Sequence, residues 1–137
     1  MIHIAHSQGA LVTALAAKQL SPLEMNQIEV LAFGGAAALR RTTQTPFHRC
    51  INYYAVNDPL LWVVPSAEQA LRSGFVGDNE FCFLAPRDGD PIADHHLLGP
   101  TYAQALSWEG QRFQQQHQNV AFRSSRCLVL FFVALLH

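Results

Sequence analysis

Charge is scarce in this sequence. Asp, Glu, Lys and Arg make up 14% of the 137 residues and nearly cancel, leaving a net charge of −1. An ordinary domain carries about 25%. No basic stripe is present to follow a phosphate backbone, which excludes nucleic acid as the expected partner. Cysteine is scarce too. The three thiols, Cys50, Cys82 and Cys127, are far apart and form no CxxC pair. They read as free buried thiols in a reducing compartment, not as a disulfide framework or a zinc site. Long apolar runs are also missing. The longest stretch, residues 127–136, has ten residues, where a membrane span needs about 20. It reads as a buried or poorly placed tail, with membrane contact as the lesser alternative. The start, Met1-Ile2-His3-Ile4, lacks the charged leader of a signal peptide. A cytoplasmic location is expected, with a membrane-peripheral one as the alternative.

What is present is a core. Half of the residues are hydrophobic, enough for one α/β domain of this length. Strands are expected at residues 1–5, 28–33, 50–56 and 81–85, each a short apolar run closed by a turn signal. Residues 9–20 are rich in Ala and Leu and predict a helix. Ser66, with Glu68 and Gln69 behind it, predicts the N-cap of a helix over 66–73. Residues 97–118 predict a closing helix with Leu98, Tyr102, Leu106 and Phe113 near one stripe. Strands alternating with helices imply a mostly parallel sheet covered on both faces, a three-layer α/β sandwich.

Ile4-Ala5-His6-Ser7-Gln8-Gly9-Ala10 is the most informative stretch. An apolar strand stops at a serine, a glycine follows two places later, and a small-residue helix begins. This order holds a serine hydroxyl above a sheet at a helix N-terminus. Reactive groups of open α/β sheets gather beyond the carboxyl ends of the strands. Ser7, Asp58 and the pair His95-His96 each follow a strand, so all three are expected at one edge.

The order Ser, Asp, His, each after a strand, resembles the α/β-hydrolase fold. Asn57-Asp58-Pro59 and the Asp94-His95 pair followed by Tyr102 are similar to lipase and esterase signatures of that fold. Ala5 stands where the family usually has its first glycine. The resemblance spans about residues 1–117, with 119–137 an apolar tail of unclear role. It implies a serine hydrolase of the lipase or esterase type, acting on an ester. Ser7 is the nucleophile, Asp58 the orienting acid (Asp90 its understudy) and His95 the base, with His96 as alternative. The backbone N–H of Gln8 would donate to the oxyanion. No cofactor and no metal are implied.

The resemblance covers only the C-terminal half of such a fold. The strands that should flank residues 1–5 are absent, which leaves the nucleophile strand a bare edge open to self-association. A second oxyanion donor would be lost with them, at a cost of about 10²–10³ in rate. The alternative is therefore a catalytically inactive remnant or binding module completed by a partner. A lid could lie in residues 36–49 or 59–65.

Other readings are weaker. Asp88, Asp90, Asp94, His95 and His96 share one loop, but a calcium loop starting at Asp88 wants Gly at position 93 and Glu at 99, where the chain has Ala93 and Gly99. Gly34-Gly35 reads as a strand-ending turn without a dinucleotide fingerprint. His3, His6, His48, His117 and His137 have no partner pattern and are expected at the surface.

Overall fold

A computed structural model describes residues 1–73 and 80–121. The elements run β1 (Ile2–His6), α1 (Gln8–Ala16), a 3-10 turn (Ala17–Gln19), α2 (Pro22–Met25), β2 (Glu29–Phe33), β3 (Arg49–Ala55), α3 (Pro59–Val63), α4 (Pro65–Arg72), β4 (Phe81–Leu84), α5 (Pro91–His95) and α6 (Pro100–Ala121). The four strands form one all-parallel sheet in the order β1-β2-β3-β4.

Side-chain alternation sorts the sheet into two faces. Val30, Ala32 and Cys50 pack on one side with Ala10 and Ala17, and with Leu39 and Phe47 of the loop before β3. Leu31, Phe33, Ile51, Tyr53 and Ala55 pack on the other with Tyr102 and Ala105 of α6. Tyr54, on the first side, adds a cluster with Leu61, Val64 and Ala67 of the α3–α4 region. The protein is therefore α/β with helices on both faces. All five residues of β2 are buried, as a strand covered on both faces requires.

Two polar devices hold this arrangement. Buried Asn52 receives the Leu39 N–H at 2.9 Å and donates to the Leu39 and Glu80 carbonyls at 2.7 and 2.8 Å, pinning the 36–48 loop to β3. At the amino end of the sheet, Glu109 of α6 accepts both guanidinium nitrogens of Arg49, the Tyr53 hydroxyl and Nε of Arg112, which also pairs with Glu29. Glu109 is buried and the two arginines only partly so, so stripping one partner costs about 1–3 kcal/mol. Burial pushes the Glu109 carboxyl up, but its hydrogen bonds from Arg49, Tyr53 and Arg112 outweigh this and bring it down to about 2.

Several expectations need correction. The helix over 9–20 ends at Ala16 and tightens into a 3-10 turn. Ser21 forms a capping box with Glu24 that opens α2. Ser66 is not an N-cap. Val64 is, and Pro65 takes the first helical position, where its missing N–H is harmless. Of the two lid candidates, residues 59–63 are helical, and the 36–49 loop is held down by buried Leu39 and Phe47 while its residues 40–44 are exposed. The closing helix starts at Pro100, leaving Leu98 exposed ahead of it. It runs on to Ala121. Among the described residues no helix is long and apolar enough to cross a membrane. The 127–136 block, Cys127 and His137 lie outside the described residues.

Candidate active site

Ser7 sits at the carboxyl end of β1. Its N–H still donates to the Phe33 carbonyl at 3.1 Å, so the sheet ladder holds it to the last residue. The backbone then turns sharply, with φ 53° and ψ −122°. Ser7 is the one non-glycine with positive φ among the described residues, a conformation costing about 1–3 kcal/mol. Ala10 and Ala36 donate to the Ser7 carbonyl at 3.2 and 2.8 Å and fix the turn. Gln8 opens α1 directly afterwards. First-turn N–H groups have no intrahelical acceptor, so the Gln8 amide is available beside the Ser7 hydroxyl.

Asp58 follows β3 and caps α3. It is fully buried, and Oδ1 accepts from the Leu60 N–H at 2.8 Å. Oδ2 accepts from His95 Nδ1 at 2.8 Å and from the Tyr102 hydroxyl. Burial alone would push this carboxyl up; the bonds from His95, Tyr102 and Leu60 reverse that and hold it below the usual carboxylate range. Tyr102 in turn accepts the Ala55 N–H at 3.1 Å, so its ring oxygen ties α6 to both the strand and the acid.

His95 is the last residue of α5. Its Nε2 lies 3.2 Å from Ser7 Oγ. An ionised carboxylate only accepts. Nδ1 therefore carries the proton toward Asp58, and Nε2 turns a lone pair to the serine hydroxyl. The neighbouring Asp94 anchors the loop. It is fully buried and accepts from the Arg87, Asp88 and Gly89 amides, from Asn57 Nδ2 and from the Thr101 hydroxyl. Burial opposes its charge, but the bonds from Thr101, Asn57, Asp88 and Gly89 keep its carboxyl far below the ordinary value.

Ser7, Asp58 and His95 thus meet at the carboxyl edge of the sheet. His96 is exposed, and the bonds to Asp58 and Ser7 are made by His95 alone. Asp90 caps α5 through the Ile92 N–H at 3.0 Å and takes no part. Among the described residues no group of three or more His, Cys, Asp or Glu could hold a metal.

The expectation of surface histidines holds for His48 but fails at three positions; His117 is half-buried, its ring 4.0 Å from that of Phe113. His3 is partly buried and bonded to the Thr13 hydroxyl at 2.8 Å. Partly buried His6 reaches the main-chain carbonyl of His95 with Nε2 at 2.8 Å. Gly34 is more than a turn. Its φ is +50°, and a Cβ there would lie 2.5 Å from Asp58 Oδ2 and 2.8 Å from His95 Nδ1. The double glycine closing the second strand was the available signal, but its closeness to Asp58 and His95 is a tertiary fact. By contrast, a Cβ on Gly9, the motif glycine, would meet nothing within 4 Å.

A hydroxyl, an imidazole and a buried carboxylate in this sequence of hydrogen bonds form the arrangement that makes serine a nucleophile. No protein-family model, curated protein or solved structure matches this chain.

Proposed function

We propose that this chain is a serine hydrolase of the lipase or esterase type with a partial α/β-hydrolase fold, cleaving an ester through Ser7, His95 and Asp58. The single observation that carries the reading is the relay from Ser7 Oγ to His95 Nε2 at 3.2 Å and from His95 Nδ1 to Asp58 Oδ2 at 2.8 Å, built on a strained serine turn. A strand-to-helix turn with strained serine geometry is how this fold presents its nucleophile.

In the reaction, Ser7 Oγ attacks the ester carbonyl carbon while His95 Nε2 takes the hydroxyl proton. Ionised Asp58 holds the imidazolium that results. The Gln8 N–H, at the positive end of α1, donates to the developing oxyanion. The C–O bond to the alcohol breaks, and the alcohol leaves with the proton from His95. A water then gives its proton to His95 and attacks the acyl-enzyme, releasing the acid and restoring Ser7. The region that follows Asp58 and the helix that ends in His95 also expose Trp62, Val63 and Ile92, apolar surface that suits an ester with an apolar part.

A second reading, an inactive hydrolase-like remnant or binding module, has one observation in its favour. The strand carrying Ser7 is paired on one side only in the described sheet, an edge suited to a second copy or another chain. Labelling by a fluorophosphonate separates the two. The hydrolase reading expects covalent modification at Ser7, lost in Ser7→Ala. Absence of label on the folded chain supports the second reading.

A further inference from the structure

We propose that His6 is a positioning residue: its Nε2–H bond to the His95 carbonyl locks the imidazole base to the same strand end that carries Ser7. The role rests on the hydrolase reading above.

His6 lies on the α6 side of β1, since Ile4 and Ile2, two and four places earlier, pack against the cluster on that side. Its ring stands 4.9 Å from the His95 ring at 37°, and meets Tyr102 edge-on at 6.4 Å. A carbonyl only accepts, so the 2.8 Å contact from Nε2 requires a proton on that nitrogen. His95 closes a five-residue helix, and the last carbonyls of a helix lack intrahelical donors. His6 supplies one. The base is then held at two points, by Asp58 at its ring and by His6 at its main chain. Because His6 and Ser7 are consecutive, a shift of the β1 end carries the hydroxyl and the base together and preserves their separation.

The charge state of His6 fits this role. Burial pushes its imidazole below the ordinary value, against the opposing effect of its bond to the His95 carbonyl; His95, Asp58 and His96 are the charged or titratable groups acting on it. Uncharged at neutral pH, it does not oppose the positive charge that forms on His95 during turnover.

His6→Gln and His6→Leu test the proposal. The Gln amide nitrogen reaches the place of Nε2 and donates; Leu fills the space and does not. For a p-nitrophenyl ester, His6→Leu is expected to lower kcat roughly tenfold or more, with KM within about twofold of the parent, because a small misplacement of the base is costly. His6→Gln should keep at least about a third of kcat, since it keeps the bond. The downfield proton resonance of His95 Nδ1–H should broaden or shift in His6→Leu and persist in His6→Gln. Parental kcat with an unaltered resonance in His6→Leu overturns the proposal, as does equal impairment in both variants. If the parent chain neither turns over the ester nor takes up the phosphonate, the hydrolase reading falls, and the resonance alone decides the positioning role by the same two outcomes. If His6→Leu does not fold, ¹⁵N shifts of the parent decide: a neutral Nε2–H tautomer at pH 7 supports the lock, and an Nδ1–H tautomer overturns it.

Discussion

Gly34→Ala puts the geometry of the site under the sharpest test. Gly34 has φ +50°, and an added Cβ would stand 2.5 Å from Asp58 Oδ2, 2.8 Å from His95 Nδ1 and 3.0 Å from His95 Cε1. To reach ordinary contact the carboxylate oxygen must retreat by about 0.9 Å and the ring nitrogen by about 0.6 Å. Asp58 has little room to retreat, because Leu60 and Tyr102 also hold it. The Asp58–His95 bond at 2.8 Å would then lengthen past about 3.2 Å and cease to be a good hydrogen bond. The His95–Ser7 contact, already 3.2 Å, has no slack. A misplacement of this size is expected to lower kcat about 10²-fold, near 2.7 kcal/mol. Left-handed backbone adds about 1–2 kcal/mol of lost stability for a residue with a Cβ. The assay pairs ester hydrolysis and phosphonylation rates with denaturant melts, so that rates compare equal amounts of folded protein. Gly9→Ala is the control. Its Cβ meets nothing within 4 Å, so its rate should stay within about twofold and its stability should rise by about 0.5–1 kcal/mol, the gain of Ala over Gly in a helix. A Gly34→Ala protein reacting within about threefold of the parent would refute the packing of Gly34 against Asp58 and His95.

Other outcomes follow from the same contacts. Ser7→Gly should be more stable than Ser7→Ala by about 1 kcal/mol in urea melts, because only Gly accepts φ 53°, ψ −122° without strain; equal stabilities would mean that the turn is unstrained. Tyr102→Phe removes a donor to Asp58 and leaves the buried Ala55 N–H without its acceptor, costing about 1–3 kcal/mol. Since the lost bond favoured the ionised form, the Asp58 carboxyl moves up toward its ordinary value. Its stabilising contribution is then lost at a higher pH as acid is added, which melts across a pH series should show. Glu109, brought from 4.5 down to about 2, contributes about 3 kcal/mol above pH 4.5, lost as pH falls toward 2. Glu109→Gln should lower stability at pH 7 and flatten its dependence on pH across that window; an unchanged slope would remove Glu109 as the cause.

The local signals in the sequence located the strands to within a residue or two, because short apolar runs ending in Gly, Pro or Asn carry their own boundaries. The serine turn and the order of Asp58 and His95 were legible for the same reason: each stands directly after a strand, and a parallel sheet brings those ends together. The resemblance of Asp94-His95 followed by Tyr102 to a hydrolase signature favours His95 over His96, and Tyr102 is the residue bonded to Asp58. What escaped was whatever depends on contacts distant in sequence. His6 reads as an unpartnered histidine until α5 returns 89 residues later to place a carbonyl beside it. Gly34 reads as a turn until Asp58 and His95 close over it. The pairing of Arg49 and Arg112 with Glu109 and Glu29 has no local pattern. The short helices α2, α3 and α5 are specified by their caps, Ser21, Asp58 and Asp90, and not by an apolar period, which four or five residues are too few to display.

Treating the purified chain with a fluorophosphonate and mapping the adduct by mass spectrometry asks whether Ser7 is a nucleophile. The Ser7–His95–Asp58 relay predicts one phosphonyl group on Ser7, not formed on denatured protein or on Ser7→Ala, and formed far more slowly on His95→Ala. A folded chain that takes up no phosphonate at Ser7, or labels as fast without His95 as with it, would contradict it.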